Sequence, residues 1–520
     1  MFSEKVHRYI YLFGLAALAF GCMMGPVPTS VPQMILMGNW LLEANVAYKW
    51  KRFKNTPLLW LYLTFFVLHL VGMVYTHDTD AGLNDLRIKM PMLALPLVFF
   101  TTPAITSSEL KFTLRFFLLG ALCNTLWCLA YTHLLHHNEV LRNASRFMSH
   151  IRLGLYLNIA VATCIYFLVD SKKASSKFLF ALATLYFMFC FYALGLASGT
   201  IIFFVLLFIW GSYYSIKQRY MPAMLAIIVI GAGSLIYIRK VANEQLQLKN
   251  ESANQLLSKT PWGSNYYQFE NEGQLENGYY IFRNIELQEI KRVWNRRVPN
   301  DTFSYAPAHN LRRYEALLRY LTSMGQTKDS LSVSQLTTQD IENIKMAVPN
   351  VHYADWSFFH RRVYELVNEY ENLLHAKKVN GNSLTMRPFF WKAALHVIQQ
   401  HPLVGVGTGD VQQALNQAYV ETLSPLRKAW YKRPHNQFLS ITVAFGSVGL
   451  ILFVVLLIYP LLRYRKRLHV LYRVHFLVVV LSFLVEDTLE TQAGETFFMF
   501  FTALFVAQAL SEPEDKTVST

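Results

Sequence analysis

A chain of 520 residues that is 53% hydrophobic, 15% aromatic and only 16% charged is too apolar for an ordinary water-soluble protein, yet it carries enough charge for one sizeable water-facing part. Its formal net charge of +15 does not make it a nucleic-acid binder, because the cations cluster beside hydrophobic stretches and no nucleic-acid motif accompanies them. The five cysteines, Cys22, Cys123, Cys128, Cys164 and Cys190, all lie in apolar stretches without metal or redox spacing, so neither disulfides nor structural zinc are expected.

The opening "MFSEKVHRYIYLFGLAALAFGCMMG" sets cations before an apolar run, as a signal peptide does. Phe20, however, stands where a cleavage site wants a small residue before Gly21 and Cys22, and more apolar runs follow, so the stretch reads as an uncleaved first helix. Apolar runs of about 17 to 25 residues suffice to cross a bilayer. Nine come first, at residues 9–25, 28–46, 57–75, 88–104, 112–134, 151–169, 178–196, 199–215 and 220–238. The second is interrupted by Pro28, Pro32 and Glu43, and the seam at Ser198 and Gly199 leaves the division of the seventh and eighth open. Three more follow a long polar stretch, at 437–460, 469–485 and 494–510.

With twelve spans, Lys5 and Arg8, Lys49 to Lys54, Lys172 to Lys177, Lys217 and Arg219, and Arg463 to Arg467 all fall on one side. Lysine and arginine mark the cytoplasmic side, which puts both termini inside and residues 239–434 outside. A connection that long is expected to fold. Helical spacing recurs in "LRRYEALLRYL" (Leu311, Tyr314, Leu317, Leu318, Leu321) and in "FFHRRVYELVNEYENLL" (Phe359, Val363, Leu366, Val367, Tyr370, Leu374), which predicts amphipathic helices. "PWGSNYYQFENEGQLENGYY" reads as turns, either presenting aromatic faces to a sugar or packing on themselves. The domains expected are therefore 1–238 (nine membrane helices), 239–434 (outer region), 435–510 (three membrane helices) and a disordered tail at 511–520.

In "MRPFFWKAALHVIQQHPLVGVGTGDVQQALNQAY", Arg387 before Pro388 begins a helix whose apolar face holds Phe390, Ala394 and Val397. His401-Pro402 stops it, Gly405, Gly407 and Gly409 permit a tight turn, and Thr408 or Asp410 is placed to cap the next helix. The glycines do not make a nucleotide loop, since no strand precedes them and no Lys-Ser/Thr follows. Next, "PHN" sets His435 and Asn436, with Arg433 beside them, at the mouth of a hydrophobic helix. An imidazole titrates near neutrality, about 6.5 unperturbed, so His435 is suited to accept a proton from a hydroxyl. Gly446 and Gly449 allow a neighbouring helix close to the backbone.

Arg387, Trp391, "HPLVGVGTGD", the region of Tyr419, "PHN" and Gly446-Ser447-Val448-Gly449, in that order, resemble the signature of the O-antigen ligase and polymerase family, most strongly over residues 387–459. "EDTLETQAGETFF", with Glu486, Glu490 and Gln492, is similar to the final turn of ligase-like members. The resemblance implies an all-α polytopic protein of the bacterial inner membrane with a C-type glycosyltransferase fold, about twelve transmembrane helices and a large helical periplasmic region. It also implies catalysis without cofactor or metal, an undecaprenyl-diphosphate-linked glycan as donor and a lipid A-core oligosaccharide as acceptor, with membrane lipids as surroundings and no nucleic acid. His435 would be the catalytic base. Arg387 and Arg152 would hold the diphosphate, for which a guanidinium fork is well shaped. Lys89, Arg433, Asn436 and Glu490 are further candidates. Arg87 and Lys89 read equally as cations reaching out to lipid headgroups.

One departure stands out. Many relatives carry an arginine between the seventh and eighth spans, where this chain has Gly199 in "LASGTIIFF"; Arg142, Arg146 or an arginine of the outer region would have to replace it. Within the same fold the alternatives are a polymerase and a protein O-oligosaccharyltransferase. A transporter or flippase is the reading of another class, opposed by the absence of matched broken helices in two halves and by polar chemistry gathered on one face.

Overall fold

The computed structural model describes residues 3–131, 145, 147–217, 221–245, 254–269, 273–300, 302, 309–376, 379–380 and 385–510. Arg142, Arg146 and the expected tail at 511–520 lie outside the described residues. The ten helices of the first part are α1 (Glu4–Gly21), α2 (Pro26–Leu42), α3 (Val46–Lys54), α4 (Pro57–Val74), α5 (Thr79–Thr101), α6 (Ser107–Ala130), α7 (His150–Asp170), α8 (Ala174–Ala193), α9 (Ala197–Lys217) and α10 (Met221–Gln245). A hairpin of β1 (Leu275–Glu276) and β2 (Tyr279–Tyr280) follows, then α11 (Leu287–Arg297), α12 (His309–Ser323), α13 (Ser330–Gln335), α14 (Thr338–Lys345) and α15 (Phe358–Ala376). The last five helices are α16 (Arg387–Gln400), α17 (Val411–Glu421), α18 (Gln437–Arg463), α19 (Val470–Val485) and α20 (Gln492–Ala509).

Each of the twelve predicted spans coincides with a helix among the described residues. Six of these helices, α4, α6, α7, α8, α9 and α18, are long and apolar enough to cross a membrane, which suits a multi-pass membrane protein. α8 shows the lipid-side pattern: Phe178, Leu179, Leu182, Leu185 and Phe189 are exposed. α20 is the opposite. From Gly494 to Val506 it is buried on every side, packed against α5, α19 and α7, as expected of a helix apolar all round at the centre of a bundle.

Three local differences have clear causes. α5 begins at Thr79, well before the apolar run, because Asp78 caps it by accepting from Ala81 N at 2.9 Å; hydropathy is blind to a polar first turn. Glu43, expected to interrupt the second span, instead lies past the end of α2, where its carboxylate is 3.3 Å from Lys49 of the short basic helix α3. Gly199, in the first turn of α9, is in tight contact with α7: a Cβ there would stand 2.5 Å from Gly154 Cα, and Asn158 Nδ2 donates to the Gly199 carbonyl at 3.0 Å. No side chain fits at that position, arginine least of all.

The chain packs as two compact units, one of Met1–Tyr213, Phe389–Ser424 and Tyr431–Thr520, the other of Tyr214–Pro388 and Pro425–Trp430. The second unit has its own core, in which Trp294 and Ile290 of α11 meet Leu317 and Leu321 of α12 and Ile344 of α14. Its hairpin turns on Asn277 and Gly278, both at positive φ (50° and 81°), the geometry that Asn-Gly favours between two strands. In α15 the buried stripe keeps Val363 of the apolar one read from the sequence and is otherwise polar. Tyr364, Asn368 and Asn372 are buried while Phe359 and Tyr370 are exposed, because the polar side chains find partners inside. Asn372 brackets the backbone of Leu275, accepting from its N–H at 2.8 Å, and Tyr364 donates to Glu276 at 2.7 Å.

Candidate active site

The segment from Lys432 to Pro434 is clamped before it reaches His435. Trp391 of α16 donates from Nε1 to the Pro434 carbonyl at 3.0 Å, and Tyr419 of α17 donates to the Lys432 carbonyl at 2.6 Å. His435 then adopts φ +50°, a left-handed conformation that a non-glycine residue keeps only where its surroundings hold it. Asp487, in the turn between α19 and α20, is what holds it. Its carboxylate accepts from His435 N at 2.8 Å, Asn436 N at 3.0 Å and the Ser440 hydroxyl at 2.5 Å. Burial pushes the Asp487 carboxyl above the ordinary aspartate range, and the Ser440 hydroxyl opposes that. Asn436 caps α18 through Leu439 N at 3.1 Å, so the backbone on both sides of the imidazole is fixed.

The His435 ring lies 5.6 Å from the Phe390 ring, with Nδ1 3.4 Å from Glu486 Oε2, and the side chain stays 31% exposed. Glu486 in turn is within electrostatic reach of Arg152. Arg152, in the first turn of α7, donates from Nη1 to Ser149 Oγ at 3.1 Å, while its buried Nε has no hydrogen-bond partner among the described residues. Imidazole, carboxylate and guanidinium are thus grouped about Glu486.

A second group of charges lies deeper in the same unit. Glu490 accepts from Arg433 in a short ion pair and from Gln437 Nε2 at 2.9 Å, and it is 3.4 Å from Lys89 Nζ. Lys89 also lies 4.0 Å from both Asp85 and Glu495. Burial would raise the Glu490 carboxyl, but the Lys89 ammonium and the Arg433 guanidinium hold it well below the usual range. Lys89 is only 2% exposed, so it turns into the protein and does not reach out to headgroups; that alternative is corrected. The space enclosed by His69, Asp85, Lys89, Arg433 and Glu490 is about 10 Å³, far below what a sugar or a phosphate needs, so these charges hold one another.

The glycine loop supports this arrangement. α18 is interrupted at Gly446 (φ +61°, ψ −157°), and the loop after α16 uses the opened backbone. Val406 N donates to Val443 O at 3.0 Å, Gly407 N to Ala444 O at 2.9 Å, and Ser447 N to Pro402 O at 2.8 Å. A Cβ on Gly446 would stand 2.3 Å from the Leu403 carbonyl carbon. The close neighbour expected of Gly446 is therefore this loop and not a helix. Neither Thr408 nor Asp410 caps α17 with its side chain. Thr408 donates to His69 O at 2.7 Å, and Asp410 accepts from the backbone of His77 and Asp78 at 2.8–3.0 Å, tying the α4–α5 turn to the loop.

Of the sequence candidates, His435, Asn436, Arg433, Glu490, Lys89 and Arg152 all fall in the first unit, and the first five share the network of the α19–α20 turn. Arg387 opens α16 and falls in the second unit. The residues missed were Asp487, Asp85, Gln437 and Glu495; the signal available for Asp487 was the pair of acids "ED" at the very end of an apolar span. Among the described residues, no three His, Cys, Asp or Glu side chains are grouped to hold a metal ion.

No curated protein matches the chain. Residues 351–454, which carry Arg387, the glycine loop, His435 and the break at Gly446, are similar to the family whose model is described as O-antigen ligase.

Proposed function

We propose that the protein is an O-antigen ligase: it transfers a glycan from undecaprenyl diphosphate to a hydroxyl of a lipid A-core oligosaccharide, at the periplasmic face of the bacterial inner membrane. Twelve helices cross the membrane in this reading, both termini are cytoplasmic, and residues 239–434 lie outside. The observation that carries it is His435, fixed in a strained backbone conformation by Asp487 with Nδ1 toward Glu486, within the segment that matches the family. The Glu486 carboxylate, 3.4 Å from Nδ1, favours the charged ring that forms when the imidazole takes a proton from the acceptor hydroxyl. The acceptor oxygen forms a bond to the anomeric carbon as the bond to the diphosphate oxygen breaks, in one displacement that inverts the anomeric configuration. Arg152 and Arg387 are assigned to the departing diphosphate, whose growing charge fixed guanidiniums stabilise without reorganisation. Arg433, Lys89 and Glu490 support the loop that presents His435.

The test uses His435→Asn, since asparagine tolerates a left-handed backbone and the fold is kept while the base is lost. Transfer should fall about 10²–10⁴-fold with the protein still accumulating in membranes. Transfer at the wild-type rate would remove His435 as the base. Deleting the gene and running the cells' lipopolysaccharide on a gel separates the alternatives. Rough lipopolysaccharide with accumulated full-length lipid-linked polymer indicates a ligase, and single-repeat caps indicate a polymerase.

A further inference from the structure

α3 and the turn after α18 lie far apart in the chain and come together in the first unit. Tyr464, buried at the start of that turn, is within electrostatic reach of Arg52, Arg463 and Arg467 at once. The turn is tight: Arg467 N and Leu468 N donate to the Tyr464 carbonyl at 2.8 and 3.0 Å, and Arg465 and Lys466 between them are exposed. Arg473, in the first turn of α19, donates to the Arg465 carbonyl at 3.3 Å. On α3, Lys51 and Lys54 flank Arg52, whose Nε donates to the Phe100 carbonyl at 3.2 Å.

None of Lys51, Arg52, Lys54, Arg465, Lys466 and Arg467 pairs with a carboxylate among the described residues. The acids at this end of the bundle are placed elsewhere: Glu43 pairs with Lys49 at 3.3 Å, Glu109 with Arg8, and Asp170 with Lys111 at 2.7 Å, while Glu4 opens α1 without an ion pair. Glu512, Glu514 and Asp515 of the tail, with Lys516, lie outside the described residues. Membrane orientation explains why cations lie on this side; it does not explain their convergence without carboxylates, which repels unless an anion joins them. The aromatic side chains tell where that anion sits. Trp50 and Trp60 are 56% and 46% exposed, Phe53 stands between them at 5.5 and 4.7 Å, and Lys54 Nζ lies 4.8 Å over the Trp50 ring. Tryptophans at span ends mark the headgroup level of a bilayer, the plane in which a short amphipathic helix such as α3 lies. A soluble acidic partner would use the cations and leave the indoles idle, whereas a phosphodiester at that level meets guanidiniums for its oxygens and indoles for its glycerol.

We propose that this patch binds the headgroups of anionic phospholipids, with α3 and the α18–α19 turn as its two sides. Binding is non-covalent. It lies at the opposite end of α18 from His435, and it does not depend on glycan transfer.

The experiment reconstitutes the full-length protein in phosphatidylcholine membranes with a trace of spin-labelled phosphatidylglycerol or phosphatidylcholine. Electron paramagnetic resonance then reads the fraction of each label immobilised at the protein. Phosphatidylglycerol should be preferred at least about fivefold at low salt, the factor that one cation at an anionic surface supplies, and the preference should shrink at high salt. Arg52→Gln, Arg465→Gln and Arg467→Gln together should abolish it. Lys172→Gln, Lys173→Gln and Lys177→Gln, which remove the same charge from the α7–α8 junction, should leave most of it. Should the first triple fail to fold, Arg465→Gln with Lys466→Gln, at two exposed positions, takes its place and should halve the preference or more. Equal loss in both sets would mean that net charge draws the lipid and not this patch, and no preference in the wild type would overturn the site outright. Removing residues 511–520 separates lipid from the acidic tail. The preference should not change, and one that appears only after the removal would make the tail the occupant.

Discussion

Each unit buries a glutamate among cations and amides, and the two are finished differently. Around Glu276 every valence is closed: one guanidinium, one amide and one phenol share its two oxygens. Around Glu490 the network runs on into incomplete ground. Glu495 is fully buried 4.0 Å from Lys89 with no hydrogen bond to either oxygen among the described residues, and the same turn sends Glu486 out to a partly exposed imidazole. A closed cluster fixes a fold. The open one, kept at the cost of stranded polar groups, is where the proposed chemistry is placed.

The largest effect should come from breaking the open cluster at its centre. Glu490→Ala takes from the buried Lys89 and the half-buried Arg433 the counter-ion they share, at a cost of about 3–5 kcal/mol. Folded protein in membranes should then fall sharply, as read by fluorescence-detected size exclusion. In the closed cluster, Glu276→Gln should cost less, about 2 kcal/mol, because Arg319 is partly exposed and water can take up its charge. Hydrogen exchange should quicken in β1, α12 and α15 while glycan transfer per folded molecule is unchanged. If Glu276→Gln instead abolished transfer and left exchange alone, the contrast between the clusters would be reversed.

Glu486→Gln sharpens the same contrast at the catalytic end. It keeps the shape and removes the charge beside His435 Nδ1, so transfer should drop about tenfold, or 1.4 kcal/mol in the barrier, with no loss of folded protein. The pH dependence carries the diagnostic sign: without the carboxylate the imidazolium is less favoured, so the rising limb of the rate against pH should move to lower pH. A tenfold loss without that displacement would mean Glu486 only shapes the turn.

How far the sequence reaches follows the same division. Every long apolar run became a helix, since in lipid a helix is what satisfies the backbone within one segment. The motif residues Trp391, Tyr419, His435 and Asn436 did meet, because they flank one short loop. Asp487 was invisible as a partner: it lies far along the chain from His435, and an acid at the edge of an apolar run reads as the end of a span; Asp85, one helical turn before Lys89, reads from the sequence as part of a polar first turn. α15 misled for a different reason. Periodicity counts apolar side chains, and beside Val363 its buried face is polar: Tyr364 and Asn372 go inside because the hairpin backbone bonds to them, and Asn368 because Asn372 does. Gly199 was legible as a departure and not as a cause, which is the Gly154 backbone against it.

The smallest expected effect tests whether the second unit is finished everywhere. Lys328 is 1% exposed and donates to the Tyr280 carbonyl at 2.8 Å; burial, with the Arg283 guanidinium adding to it, pushes its ammonium down from 10.5 to about 7. Between pH 7 and 10.5 the folded chain therefore binds fewer protons here than the unfolded chain. This contribution to stability is fully present above 10.5 and is lost as pH falls to about 7. Lys328→Met removes the buried charge and keeps the stem, so it should stabilise the unit by about 1 kcal/mol at pH 7. Its advantage over the wild type should shrink as pH rises toward 10. Hydrogen exchange of β2 and α13 in the full-length protein, corrected for the intrinsic pH dependence, measures both. An advantage that does not change with pH would mean that Lys328 is held charged throughout, and that this unit too keeps an unfinished ionic site.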